Sequence, residues 1–195
     1  MKQLLIIHLV FAMMIYGSDN DKLAQTGFQF LSVSSDARAG GMADAMTTLT
    51  NGSASLFFNP AGLSKQTNLL DINFSSNNWI ADIKHDAFTL SVAPRESRYG
   101  VFGLSLLNVD YGELQGTVVW DNELGYLDTE KFSPSAFAVG FGYGRSLSES
   151  FSIGMHIKKA YQQLGRSIIP DTDSSSTVKN NTSNATAFDF GTIYV

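Results

Sequence analysis

From Leu69 onward apolar and polar residues alternate with a period of two, the pattern of strands whose two faces meet different surroundings. Leu70, Ile72 and Phe74 alternate with Asp71, Asn73 and Ser75, and Phe88, Leu90 and Val92 alternate with Ala87, Thr89 and Ser91. The pattern is cleanest from Ala136 to Tyr143: Phe137, Val139, Phe141 and Tyr143 point one way, and Ala136, Ala138, Gly140, Gly142 and Gly144 point the other. Phe151, Ile153, Met155 and Ile157 then oppose Ser152, Gly154, His156 and Lys158, and Phe188 and Phe190 oppose Ala187, Asp189 and Gly191. With Tyr99 to Tyr111, whose two faces the pattern does not rank, six strands are expected.

Residues 26–65 lack this alternation and are rich in Gly, Ala, Ser, Met and Asp. Asp36, followed by Ala37, Arg38 and Ala39 and then by Met42, Ala45, Met46 and Leu49, has approximate helical spacing with an acidic residue at the start, so short helices are expected. Asn51-Gly52-Ser53 breaks the pattern. Asn59-Pro60-Ala61-Gly62 is turn chemistry, because proline fixes its own φ and biases Asn59 away from the helical region.

Ahead of this segment, Lys2 and the apolar run Leu4 to Tyr16 read as the n- and h-regions of a secretory signal peptide spanning 1–18, with Gly17 and Ser18 before the cut. The run is too short for a helix crossing a bilayer, which needs roughly 20 residues. The expected strands run to about 9 to 13 residues, nearer the tilted 9 to 11 of membrane barrels than the 5 to 6 usual in soluble sheets. Connections alternate as well. Pro94 to Arg98 and Ser146 to Ser150 are tight, whereas Gly112 to Ser133 and Gly165 to Asn184 are long and polar, the asymmetry of short periplasmic turns and long extracellular loops. Trp79 and Tyr161 fall at the expected outer ends and Tyr99 and Tyr143 at the inner ends, where interfacial aromatics belong. The pattern therefore predicts an all-β fold, an antiparallel transmembrane barrel with a short helical N-terminal segment, over a soluble β-sandwich. Residues 69–195 supply about six strands, fewer than the roughly eight of the smallest barrels, so the barrel is expected to be incomplete, lacking its C-terminal part.

Composition sharpens this without redirecting it. The chain is 44% hydrophobic and 16% charged, with a formal net charge of -5 and no basic run, which argues against nucleic acid as a partner. No cysteine is available for a disulfide or a lipid anchor. Gly140-Phe141-Gly142-Tyr143-Gly144 lacks the Lys-Ser/Thr of a phosphate loop and lies within a strand. His156 shares a face with Ser152 and Lys158, but residues four apart on a strand are separated by about 13 Å, beyond the reach of a nucleophile and its base. The three histidines are scattered and match no zinc spacing, so no catalytic, metal or cofactor site is expected and the protein reads as a non-enzyme.

Phe30-Leu31, Ala37-Arg38-Ala39-Gly40-Gly41-Met42, and Ala54 through Phe57-Phe58-Asn59-Pro60-Ala61-Gly62-Leu63 resemble the PorV/PorQ family of FadL-like outer-membrane proteins. The resemblance continues through Trp79-Ile80-Ala81-Asp82, Val109-Asp110-Tyr111-Gly112 and Asp189-Phe190-Gly191, covering about residues 27 to 195. Ala43 departs from it, standing where the family has glycine. The resemblance implies a barrel in the bacterial outer membrane whose residues 26–65 fold into the lumen as a hatch. Arg38, Gly40, Gly41, Met42, Asn59, Pro60, Ala61 and Gly62 would be the structural hatch motif. The small face at Ala136, Ala138, Gly140, Gly142 and Gly144 is expected to leave room for it. Two functions are implied: a type IX secretion accessory that binds secreted cargo proteins or secretion-system components through extracellular loops, or a hatch-gated transporter of hydrophobic small molecules. Outer-membrane lipid is the partner common to both.

Overall fold

The computed structural model describes residues 27–49, 52–95, 97–170 and 176–195, with backbone only for 166–170 and 176–179. The expected signal peptide, Asn51 and part of the expected 165–184 loop lie outside the described residues. Among the described residues, eight strands follow a short irregular segment: β1 (Leu70–Asn78), β2 (Lys84–Val92), β3 (Val101–Asp110), β4 (Leu114–Val119), β5 (Tyr126–Phe132), β6 (Ser135–Ser146), β7 (Phe151–Pro170) and β8 (Ser176–Tyr194). Six of them form one antiparallel sheet in the order β1-β2-β3-β6-β7-β8, and β4 and β5 form a separate hairpin. The fold is thus mostly antiparallel sheet, and the six expected strands are the six of the large sheet. The described sheet is open, with β1 and β8 at its edges. Among the described residues no helix is long and apolar enough to cross a membrane.

Two expected loops are more ordered than their polar composition indicates. Residues 112–133 contain the β4–β5 hairpin, in which Val118 and Val119 face Leu127 and Tyr126 across the ladder. Past Gln163, β7 leaves its β6 partner and continues with β8 as a two-stranded extension. The register shift between Gln163 and Arg166 contains Gly165 at φ +91, a bulge whose missing Cβ makes room for the Phe132 ring at the end of β5. Polarity marks these segments as solvated; it does not mark them as unpaired.

The two faces of the sheet differ in kind. On β3, Val101, Gly103, Ser105, Leu107 and Val109 are buried, and Phe102, Leu104, Leu106, Asn108 and Asp110 are exposed. On β6 the alanines and glycines are buried and Phe137, Val139 and Phe141 are exposed. The reversal of the soluble rule continues across Leu70, Ile72, Phe74, Met155, Ile157, Phe188 and Phe190, all exposed.

Residues 27–66 cover the small face. Their local order is short: 3-10 turns at Gln29–Ser32, Gly52–Phe57 and Pro60–Lys65, and one helix, α1 (Ala37–Gly41). Asp36 caps α1 by accepting from the Ala39 amide at 3.0 Å. Helical spacing was expected to run on to Leu49, but Ala43 and Asp44 adopt left-handed φ values of 51 and 60 and end the helix there. Phe30 is seated among Ala87, Leu107, Val109, Ala136, Ala138 and Ala160, and Leu56 and Leu63 pack with Ala93 and Val101. Each such side chain contributes about 1.5 to 3 kcal/mol through burial, which holds a segment with little secondary structure of its own. Tyr111, packed at the margin of the Phe30 cluster, has its hydroxyl pushed above the usual pKa by burial.

Candidate functional site

Two constellations lie between the 27–66 segment and the sheet. The first seats the Asn59-Pro60-Ala61-Gly62 motif. Gly144, Gly154 and Gly191 are paired in one row across β6, β7 and β8. A Cβ at Gly144 would stand 2.8 Å from Leu63 Cβ and 2.9 Å from the Pro60 carbonyl oxygen. One at Gly154 would overlap the Pro60 carbonyl carbon and the Ala61 nitrogen, and one at Gly191 would overlap Asn59. The row is a groove for backbone, which only glycine permits.

Asn59 fastens the motif there. Its side-chain oxygen accepts from the Ala61 amide at 3.1 Å and so caps the Pro60–Lys65 turn. Its amide nitrogen donates to the Thr47 carbonyl at 2.9 Å and to the Thr192 carbonyl on β8 at 3.2 Å. Pro60 opens the turn with φ already set. Asn59, Pro60, Ala61 and Gly62 are all buried, whereas Arg38, Gly40, Gly41 and Met42 are exposed on and beside α1. The structure therefore does not bring the two halves of the expected motif together on the glycine row. Polar ties complete the docking: Ser53 gives its amide and hydroxyl to Asp71 at 2.8 and 2.6 Å, Thr89 donates to Ser53 at 2.9 Å, and the Phe28 amide donates to Gln162 at 3.0 Å.

The second constellation is polar and occupies the next two same-face rows along the strands, His156 and Asp189 in the nearer and Ser105 and Lys158 in the farther. Ser105, Gly140 and Lys158 are aligned across β3, β6 and β7. His156 is diagonal to Ser105, with β6 between them. Because Gly140 has no side chain, the imidazole lies over β6 and its Nε2 reaches Ser105 Oγ at 2.9 Å. A Cβ at Gly140 would meet both groups. On its other side His156 Nδ1 is 3.3 Å from Asp189 Oδ2, close but off the line of a hydrogen bond. The same Asp189 oxygen is 2.9 Å from Lys158 Nζ. Ser105 and His156 are 3% and 2% exposed and so are enclosed by protein, whereas the side chains of Lys158 and Asp189 are 21% and 38% exposed.

Ser105, His156 and Lys158 line a cavity of about 210 Å³ between the sheet and the covering segment, together with Leu31, Val33, Phe57 and Leu107. As their spacing on one strand implies, His156 does not meet Ser152, which pairs instead with Ser146 at 3.0 Å. The partner is Ser105, about fifty residues away in sequence. Its signal was the β6 glycine run, but using it required the cross-strand register, which the alternation alone does not supply.

Compared with protein-family models and with curated proteins, the chain matches none.

Proposed function

We propose that these six strands are part of a PorV/PorQ-type barrel in the bacterial outer membrane, with the small face toward the lumen, residues 27–66 as its hatch and the aromatic face toward lipid. The observation that carries this reading is the exposed apolar face itself. It extends from Phe74 on β1 to Phe190 on β8, exposed on β1, β3, β6, β7 and β8 and half-buried at Phe88, Leu90 and Val92 on β2, while the opposite face is buried across β2, β3 and β6. Monomeric soluble proteins rarely leave a contiguous apolar area beyond a few hundred Å² exposed, and a bilayer is the partner that covers such a band. In lipid the outer edges of β1 and β8 need partner strands to satisfy their backbone groups.

The two ends of the sheet are unequal, which supports a surface role at one of them. Turns 93–100 and 147–150 lie at one end, and the β4–β5 hairpin and the β7–β8 extension rise from the other. The hairpin tip exposes Val119, Trp120 and Leu124 beside Asp121 and Glu123. Such a tip suits contact with a secreted cargo protein or a component of a type IX secretion machine. The second reading, passage of a hydrophobic small molecule, would use the cavity beneath the hatch, whose wall joins Leu31, Val33, Phe57 and Leu107 to Ser105, His156 and Lys158.

Fractionation and cysteine labelling test the placement. The protein is expected in the outer membrane with heat-modifiable gel mobility. Asn122→Cys should react with an impermeant maleimide on intact cells, and Glu149→Cys only after lysis. Recovery as a soluble periplasmic protein refutes the barrel, and the reverse labelling inverts its sidedness. Loss of cargo capture in a Trp120→Ser variant supports the secretion role, and solute uptake that is independent of Trp120 supports transport.

A further inference from the structure

We propose that Ser105, His156 and Asp189 form a nucleophile, base and orienting acid able to hydrolyse small esters within the cavity under the 27–66 segment. The geometry is that of a serine nucleophile: Oγ lies 2.9 Å from His156 Nε2, inside the range over which an imidazole takes a hydroxyl proton. Asp189 is on the far side of the ring, 3.3 Å from Nδ1, and such contacts tighten when substrate is bound. A buried serine and histidine serving packing alone need no carboxylate behind the ring and no cavity in front of it; here both are present. Gly140 is the residue that permits the array, since any side chain there would separate Ser105 from His156.

The chemistry follows from these positions. Ser105 Oγ forms a bond to the carbonyl carbon of the ester as its proton passes to His156 Nε2. The bond from that carbon to the alcohol oxygen breaks, and the proton held on Nε2 goes to the departing alkoxide. Water, giving its proton to the same nitrogen, then attacks the acylated serine, releases the carboxylic acid and returns the proton to Oγ. Lys158 lines the same cavity and holds the Asp189 carboxylate at 2.9 Å, on the side of the ring away from Ser105. The cavity of about 210 Å³ is smaller than the roughly 300–1,000 Å³ usual for ligand pockets, which suits short acyl esters, and Leu31, Val33, Phe57 and Leu107 offer the acyl chain an apolar wall.

The test uses the intact folded protein with two probes, diisopropyl fluorophosphate for labelling and p-nitrophenyl acetate for turnover. One phosphoryl label is expected per chain, located on Ser105 by peptide mass. General-base assistance contributes about 10² to 10⁴ in rate, so His156→Gln should lower labelling and turnover by that factor while retaining the mobility of the folded protein. Asp189→Asn should lower both by less, with partial recovery in Asp189→Glu. Absence of label on Ser105 in the wild-type chain overturns the proposal whether or not any variant folds, as does labelling of Ser34 or Ser35 instead. Since this readout does not depend on lipid, it can fail while the membrane reading stands, and the reverse.

Discussion

Replacing Gly154 with alanine tests whether the glycine row is what holds the 52–65 segment on the sheet. The new Cβ would overlap the Pro60 carbonyl carbon and the Ala61 nitrogen, which are backbone atoms and cannot rotate away. Overpacking of this kind costs about 1 to 3 kcal/mol. Full release of the segment would cost more, because Leu56 and Leu63, 1% and 0% exposed, would each lose about 1.5 to 3 kcal/mol of burial. The segment should therefore shift and stay docked, with its opening free energy lowered by the overpacking term. At about 1.4 kcal/mol per tenfold, hydrogen exchange at the amides of 52–65 should accelerate by roughly 5- to 150-fold while β2 and β3 keep their protection. Gly41→Ala is the control, since nothing lies within 4 Å of its added Cβ. Unchanged protection of 52–65 in Gly154→Ala, or an equal change in Gly41→Ala, refutes the reasoning.

Two further outcomes follow from the faces and the backbone. Phe141 sits mid-strand on the exposed face, 6.3 Å ring to ring from Phe102. Phe141→Arg should cost about 2 to 4 kcal/mol in a lipid-embedded barrel, measured as equilibrium stability in vesicles. A harmless Phe141→Arg beside a Gly140→Arg that blocks insertion would exchange inside for outside. Ala43, at φ 51, bears a left-handed penalty of about 1 to 2 kcal/mol. Glycine removes it but loses about 0.5 to 1 kcal/mol in chain entropy, so Ala43→Gly should stabilise by up to about 1.5 kcal/mol in denaturant titration, and a destabilised variant contradicts the strain.

What the linear pattern determined was the local alternation. Period-two patterning over Leu70 to Phe74, Phe88 to Val92, Ala136 to Tyr143 and Phe151 to Lys158 assigns both the strands and the partition of their side chains into two faces, since a strand can do nothing else with such a pattern. The turn chemistry of Asn59-Pro60 and the cap at Asp36 were legible for the same reason: each acts on its own backbone within three residues. The departure at Ala43 pointed to the strained spot but not to its φ, which comes from how the chain turns back after α1.

Contacts across the sheet were decided by the tertiary structure alone. Ser105 and His156 are on strands that are not neighbours, and they meet only because the register places Gly140 between them. The β4–β5 hairpin and the β7–β8 extension were hidden by polar residues, because paired backbone in water requires no apolar face. Gly144, Gly154 and Gly191 stand at unrelated positions in the chain, and only antiparallel pairing brings them into one row. Alternation fixes which way a side chain points, whereas register fixes what it meets, and register is a property of the assembled sheet.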